Sequence, residues 1–251
     1  MKKNKAFRFR IYPTSEQKVL LDKTFGCCRL VFNYFLNLST KKYDEEKITL
    51  KYKDYALMLN DLKREKEFLK EIDSISLQQE LRHLADSFNN FFKYKKGYPK
   101  YKRKAMHNDS YSTMNVNDNI EILDKKYIKL PKIGKVQCKV HRDITSDYQL
   151  KSATISRVPS GKYYVSVLYE YEKEPISYKI DESKILGLDY QMKNLFISDD
   201  IIKTNDDFLK LYIKNEKRLH FLQKTLSRRQ KPNHKKEIES SKRYEKQRIK
   251  V

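Results

Sequence analysis

The sequence predicts an α+β protein in which a helical bundle is inserted into a small antiparallel β-barrel. Residues 5–12 alternate apolar and basic side chains with the period of a β-strand, whereas residues 14–96 repeat apolar side chains at helical spacing. Residues 110–170 contain short alternating runs separated by proline and glycine, which is typical of antiparallel strands. We expect the isolated first strand to join these later strands, so that the helices form the insertion.

The first strand places Phe7, Phe9 and Ile11 on one face and Arg8 and Arg10 on the other. Because side chains alternate between the two faces of a strand, the pattern predicts one buried face and one basic face. The strand is expected to end before Pro13, which follows Tyr12.

Thr14 and Gln17 have the spacing of a capping box and predict the start of the first helix. Gly26 lies inside the apolar repeat of this helix. Glycine costs about 1 kcal/mol relative to alanine in a helix, so a break there would give two short helices that resemble a helix-turn-helix. One unbroken helix is the preferred interpretation, because the apolar repeat continues through Gly26.

Two further helices complete the predicted bundle. Residues 52–70 predict a highly charged second helix, and Ser76 and Gln79 predict the capping box of a third helix. The apolar stripe of the third helix contains Leu77, Leu81, Leu84, Phe88 and Phe91.

The β-rich region contains five predicted strands, with a hairpin turn at Pro159–Gly161 between the last two. These strands are Tyr111–Val116, Tyr127–Leu130, Lys135–Val140, Ala153–Val158 and Tyr163–Tyr169.

The pattern changes again near residue 181. Residues 185–189 form an apolar run that ends in Asp189, and residues 193–198 predict the next strand. Residues 207–229 predict a helix, and a turn at Pro232 and Asn233 precedes a last basic helix.

The composition predicts a polyanionic partner. Lysine and arginine number 55 and aspartate and glutamate 33, which gives a net charge of +22. Such a charge destabilises a compact chain unless anions neutralise it, and lysine and arginine release counterions from nucleic-acid phosphates. The alternative is a solubilising lysine-rich surface that reflects an AT-rich genome. Such a genome explains part of the lysine excess but not the shortage of acids, so nucleic acid is the preferred partner.

The same composition argues against other classes of protein. No apolar run reaches the ~18 residues of a membrane span, and no apolar segment follows residues 2–5 as in a secretory signal. The three cysteines show no pairing pattern, which suits a reducing compartment. We therefore expect a cytoplasmic protein without a membrane partner.

The segment 91–104 is the strongest local indication of nucleic-acid binding, because cations and aromatic rings alternate in it and no acid is present. Cations neutralise phosphates, and aromatic rings stack on unpaired bases. Phe91 and Phe92 are expected to pack internally, and a solvated loop whose tyrosines pack on neighbouring residues is the alternative. With Arg8 and Arg10, the candidate contacts are Lys93, Tyr94, Lys95, Lys96, Tyr98, Lys100, Tyr101, Lys102, Arg103 and Lys104.

A second basic region covers residues 214–251, where Arg228, Arg229 and Lys231 are candidate phosphate contacts. Asp189 is a candidate ligand of a divalent cation, because nucleases of the RNase H-like type place an aspartate at the end of such a strand. One carboxylate does not complete that site, and an aspartate that bonds the following turn is the alternative.

In this order, the motifs resemble the TnpB/OrfB-type proteins of insertion sequences, and the similarity covers essentially the whole chain. The similar segments are KAFRFRIYPTSEQKVLLDKTFGCCRLVFNYFLN, GYPKYKRK, IKLPKIGKVQCKVHRDI, GKYYVSVLYEYE, KILGLDYQMKNLFISDD, LQKTLSRRQK and YEKQRIKV.

The resemblance implies an RNA-guided DNA endonuclease, of a kind often labelled transposase, with guide RNA and target DNA as partners. It implies a wedge β-barrel over residues 1–180 with a helical recognition insert at about 14–104. Residues 181–251 would be the first part of an RNase H-like (RuvC) α/β domain. The complete family site holds a divalent cation such as Mg²⁺, for which Asp189 is the matching catalytic acid and ligand. In such systems base pairing reads the target, while the protein reads backbone shape and a short flanking motif.

The sequence also departs from this family. The further catalytic acids and the C-x-x-C pairs of a zinc ribbon have no counterpart, so no zinc is expected in this chain, and Gln191 stands where the family commonly has glycine. We therefore expect a C-terminally truncated member that binds RNA and DNA but does not cleave DNA alone. A gene fragment, a decayed copy and a nuclease-dead repressor are three explanations of its length.

Two functions of other classes stay open. A regulator that uses residues 14–38 as a helix-turn-helix would bind bare duplex DNA without RNA. A general RNA-binding or ribosome-associated factor would be indifferent to Asp189 and to target DNA.

Overall fold

The computed structural model divides the chain into two compact units, Met1–Pro175 and Ile176–Val251. It describes residues 1–104, 109–145, 147–172, 196–197, 202–203, 206–231 and 240–251.

The first unit is a seven-stranded antiparallel sheet with a helical insertion. The helices are α1 (Ser15–Glu46), α2 (Tyr52–Glu65), a 3₁₀ turn (Glu67–Glu71) and α3 (Ser74–Tyr94). The strands are β1 (Lys2–Tyr12), β2 (Asp109–Met114), β3 (Glu121–Leu123), β4 (Tyr127–Leu130), β5 (Gly134–Lys139), β6 (Gln149–Arg157) and β7 (Tyr163–Glu172). Their order is β2-β6-β7-β1-β5-β4-β3. Strand β1 lies at the centre of the sheet, and the helices of this unit all fall between β1 and β2, as the sequence predicts.

The sheet is a curled half-barrel rather than the closed barrel expected from the sequence. Strands β2 and β3 are its edges and are not hydrogen-bonded to each other. Closure requires the edge strands to pair along their length, and β3 has only three residues. Helices α1 and α3 contact β2, so helices cover this edge of the sheet.

Strand β1 has the two faces that its alternation predicts. Phe7, Phe9 and Ile11 are buried in the core. Phe9 lies opposite Val165 of β7, so the apolar face of β1 continues across the sheet.

Helix α1 is one unbroken helix of 32 residues, as preferred from the sequence. The Thr14 side chain accepts a hydrogen bond from the Gln17 backbone and the Gln17 side chain bonds back, which confirms the capping box. Gly26 lies within the helix, and a Cβ there would meet no atom within 4 Å. No helix-turn-helix is present within residues 14–38, all of which the structure describes.

The other helices depart from the predictions in two ways. The predicted helix over residues 52–70 is instead α2, ending at Glu65, and the 3₁₀ turn. The predicted capping box of Ser76 and Gln79 is wrong, because α3 begins earlier, with Asp73 as its cap. The Asp73 carboxylate accepts hydrogen bonds from the backbone of Ile75 and Ser76 and from the Thr113 hydroxyl, so it is the better cap.

The five predicted strands correspond to β2, β4, β5, β6 and β7, and β4 has the predicted bounds. Strand β3 was not predicted, because three residues are too short to show an alternating pattern. The predicted hairpin turn joins β6 to β7, and Gly161 adopts φ +75°, which glycine tolerates best.

In the second unit, β8 (Phe196–Ile197) pairs with β9 (Ile202–Lys203), and α4 (Asp206–Ser227) contacts α5 (Lys242–Arg248). The predicted helix over 207–229 and the last basic helix correspond to α4 and α5. The apolar run 185–189 and the turn at Pro232 lie outside the described residues. The RNase H-like fold of this unit stays a prediction.

Candidate nucleic-acid interface

The segment 93–104, here called the basic connector, comprises the end of α3 and the chain that follows it. The Asn33 side chain of α1 holds it through two hydrogen bonds to the backbone of Lys102. Asn33 Oδ1 accepts from the Lys102 N–H at 2.8 Å, and Asn33 Nδ2 donates to the Lys102 carbonyl at 2.9 Å. The connector is therefore fixed against α1 at this point.

The Lys102 side chain points inward, unlike a free phosphate contact. Its ammonium group pairs with the buried Glu80 carboxylate of α3 and lies 4.4 Å from the centroid of the Phe32 ring. Glu80 is only 1% exposed, so its charge needs a partner; Lys102 is the cationic one, and His83 Nδ1 lies 3.7 Å from the other carboxylate oxygen. We assign Lys102 to the fold of the connector.

The tyrosines of the connector pack on one side and are exposed on the other. Tyr98 contacts the rings of Phe88 and Phe91 at centroid distances of 5.7 and 5.3 Å, and its hydroxyl lies 2.9 Å from Thr40 Oγ1. The Tyr101 hydroxyl donates to Asn37. These contacts match the packed-loop interpretation, yet 44% of Tyr98 and 49% of Tyr101 stay exposed.

The remaining basic side chains of the connector are exposed and form no ion pair with any residue in the described ranges. These are Lys93, Lys95, Lys96, Lys100, Arg103 and Lys104, and Tyr94 beside them is also exposed. Since no acid interrupts this segment, it presents unneutralised positive charge next to exposed rings.

A second basic surface, here called the sheet face, is the outward side of β1 and its neighbours. Arg8 lies opposite Ser166, and Arg10 lies opposite both Tyr164 of β7 and Lys139 of β5. The Arg8 guanidinium stacks over the Tyr164 ring at 4.3 Å. A shallow cleft of about 300 Å³ is lined by Arg8, Arg10, Lys139, His141, Val158 and Tyr164.

Sequence reasoning found Arg8 and Arg10 but missed Lys139, His141 and Tyr164 of this cleft. The alternation of residues 135–140 was the only available signal, and it could not reveal which strand lies beside β1. The antiparallel register of β1 with β5 and β7 brings these residues together.

In the second unit, Arg228 and Lys231 are exposed and Arg229 is half-buried, directly after the end of α4. None of the three forms an ion pair within the part of the chain that the structure describes. Cations at this end also interact favourably with the helix dipole, so their position alone does not define a ligand site.

The described residues do not fit a metal centre. Among them, no group of three histidine, cysteine, aspartate or glutamate side chains could hold an ion, and Asp189 lies outside them. Cys27, Cys28 and Cys138 are buried and unpaired, and burial raises the pKa of the Cys138 thiol to about 11. A metal-binding cysteine must be a thiolate, so these cysteines serve as core side chains. Among the described helices, none is both long and apolar enough to cross a bilayer.

The fold and its exposed basic and aromatic surfaces are typical of nucleic-acid-binding proteins. Residues 1–47 match the family model of a helix-turn-helix domain of the OrfB type. In this chain, the matched residues form β1 and the unbroken α1.

Two relatives are named "Putative RNA-guided DNA endonuclease". The protein of Streptomyces pristinaespiralis is 32% identical over 169 residues, which cover 66% of this chain and 41% of that protein. InsQ of Escherichia coli strain K12 is 29% identical over 234 residues, which cover 92% of this chain and 56% of InsQ. Virulence protein VsdF of Salmonella dublin is 35% identical over 111 residues, which cover 40% of this chain and 93% of VsdF.

The chain belongs to the TnpB/OrfB-type proteins of insertion sequences. It spans about half the length of the two endonuclease-named relatives.

Proposed function

We propose that this chain binds a structured guide RNA and its target DNA through the basic connector and the sheet face. The observation that supports this most is the set of six exposed cations of the connector that have no acidic partner within the described residues. Each cation that neutralises a phosphate releases a counterion, which favours binding. The guide RNA and the DNA target are proposed from the names of the relatives.

The two surfaces suit different parts of such a ligand. The connector combines cations with the exposed faces of Tyr94, Tyr98 and Tyr101, which fits unpaired or distorted nucleic acid. The sheet face offers guanidinium groups that stack on tyrosine rings and thus have a defined orientation, which fits phosphate contacts along a backbone.

We further propose that residues 1–251 bind nucleic acid without cleaving it. Asp189 is the one carboxylate that resembles a catalytic acid of this family, and two-metal cleavage needs several carboxylates. The test is incubation with Mg²⁺ and labelled DNA in the presence of the co-purified RNA. Uncleaved DNA is expected, and cleavage that Asp189→Ala abolishes would contradict the proposal.

The RNA requirement has its own test. The chain is purified from its host under low salt, and its affinity for target DNA is measured before and after ribonuclease treatment. We expect tight DNA binding only while a structured RNA is present. Equal binding to bare duplex after ribonuclease treatment would favour a DNA-binding regulator, whereas binding to RNA without any DNA effect would favour a general RNA-binding factor.

A further inference from the structure

An apolar pocket lies beside the basic connector and shares Tyr98 with it. It has a volume of about 420 Å³ and is formed by the end of α1, the chain before α2 and the end of α3. Its aromatic and aliphatic lining includes Tyr43, Ile48, Phe88, Phe91, Phe92 and Tyr98. The volume lies within the ~300–1,000 Å³ range of small-molecule sites.

The rings on the α3 side of this aromatic pocket pack against one another. Phe88 and Phe92 are nearly parallel, and Tyr98 meets Phe88 and Phe91 edge-on. Phe92 was expected to pack internally, but it lies near the end of α3, lines the pocket and is 57% exposed. Tyr43 on the α1 side is 49% exposed. Exposed rings on two walls leave faces on which a flat ligand can stack.

The lysines near the pocket favour a flat ligand that carries negative charge. Lys93, Lys95 and Lys96 follow Phe92 directly, and Lys100 lies two residues beyond Tyr98. Lys47 lies 5.2 Å from the Tyr43 ring centroid. A base with a phosphate on each side would combine stacking in the apolar pocket with phosphate contacts to lysines that neighbour its lining residues in the chain.

The polar groups of the pocket also fit a base. The hydroxyls of Thr40 and Tyr98 bond each other, and Ser39 bonds Tyr55, so these groups are satisfied by the protein. The Asp44 carboxylate lines the pocket and has no ion-pair partner in the described ranges. A carboxylate can accept a hydrogen bond from the exocyclic amino group of a base.

We propose that the aromatic pocket receives one unpaired nucleobase of the bound nucleic acid, while the neighbouring lysines hold its flanking phosphates. This inference rests on the proposed function, because it names how the basic connector engages an unpaired segment. Stacking on aromatic side chains is tolerant of sequence, so the pocket anchors an unpaired position without reading it strictly.

The test compares two single-stranded oligonucleotides of equal length and charge, one with bases and one made of abasic residues, by fluorescence anisotropy with the full chain. The wild-type chain should bind the base-containing oligonucleotide about tenfold more tightly. Phe92→Ala and Tyr43→Ala should each reduce this preference several-fold without weakening abasic binding, the remainder coming from Tyr94 and Tyr101, and Phe92→Tyr should retain it. Phe68→Ala is the matched control, because that ring is 47% exposed on the 3₁₀ turn, away from the pocket.

The outcomes separate this inference from the proposed function. Equal wild-type affinity for the two oligonucleotides would overturn the base pocket and leave the basic connector as a phosphate-binding surface. The same would follow if Phe92→Ala behaved like Phe68→Ala. Failure of the wild-type chain to bind either oligonucleotide would overturn both proposals.

Discussion

Lys102 and its neighbours in the basic connector have the same charge but different roles. Lys102 pairs with the buried Glu80 carboxylate, whereas Lys100 and Arg103 are exposed. Sequence alone could not separate these residues, because the pairing depends on where the connector crosses α3.

Lys102→Met should destabilise the protein, because it leaves the buried Glu80 carboxylate with only the more distant His83 Nδ1, at 3.7 Å, as a partner. The expected loss in free energy of unfolding is about 1–3 kcal/mol, measured by urea denaturation. Adding Glu80→Leu should recover much of that loss. If Lys102→Met kept wild-type stability and weakened nucleic-acid binding as much as Lys100→Met, Lys102 would be a ligand contact instead.

The buried thiols make stability depend on pH at the alkaline end. Burial raises the pKa of Cys138 to about 11, and it also raises the pKa of Cys27 and Cys28. The pKa of these thiols is higher in the folded state than in the unfolded state. Their contribution to the free energy of unfolding is therefore complete below about pH 8.5 and is lost as the pH rises towards 11.

We therefore expect all three cysteines to be alkylated slowly in the native state at pH 8, with the rate measured by mass spectrometry. The rate should rise in urea, where the thiols become accessible. Rapid native modification at the rate of a free cysteine would show that these thiols are not core residues.

At the scale of elements, local patterns predicted those parts of the fold that are determined by neighbouring residues. The alternation of β1 and the continuous repeat of α1 were sufficient, because burial imposes a strict period on each. The start of α3 was not predictable from Ser76, because Asp73 caps the helix with support from Thr113 on a distant strand.

The continuity of α1 can be tested at Gly26. Gly26→Ala should raise the free energy of unfolding by about 0.5–1 kcal/mol, because the site is helical and has space for a Cβ. A higher Tm in thermal unfolding is the expected result. If Gly26 formed the turn between two helices, the same substitution would lower the Tm.

At the scale of the whole molecule, the sheet face is the part of the site that sequence could least predict. Arg10, Lys139 and Tyr164 are distant in the sequence and meet only through strand register. The net charge of +22 predicted a polyanionic partner, but it did not show which cations lack acidic partners. Only the positions of the carboxylates in the folded chain show which cations are paired with an acid.

We propose that the exposed cations of the basic connector, which have no acidic partner in the described ranges, contact nucleic-acid phosphates. The most direct measurement is the salt dependence of binding to a single-stranded oligonucleotide for the triple variant Lys95→Ala, Lys96→Ala and Lys100→Ala. The matched control replaces Lys23, Lys66 and Lys70 by alanine, which removes the same charge from lysines that lie within 3.4 Å of a carboxylate.

The connector variant should reduce the magnitude of the slope of log K against log [salt] by about 2, since each phosphate contact on a single strand contributes ~0.7. The control variant should change the slope little. Equal slopes for the two variants would contradict the claim, because binding would then follow total charge rather than the basic connector.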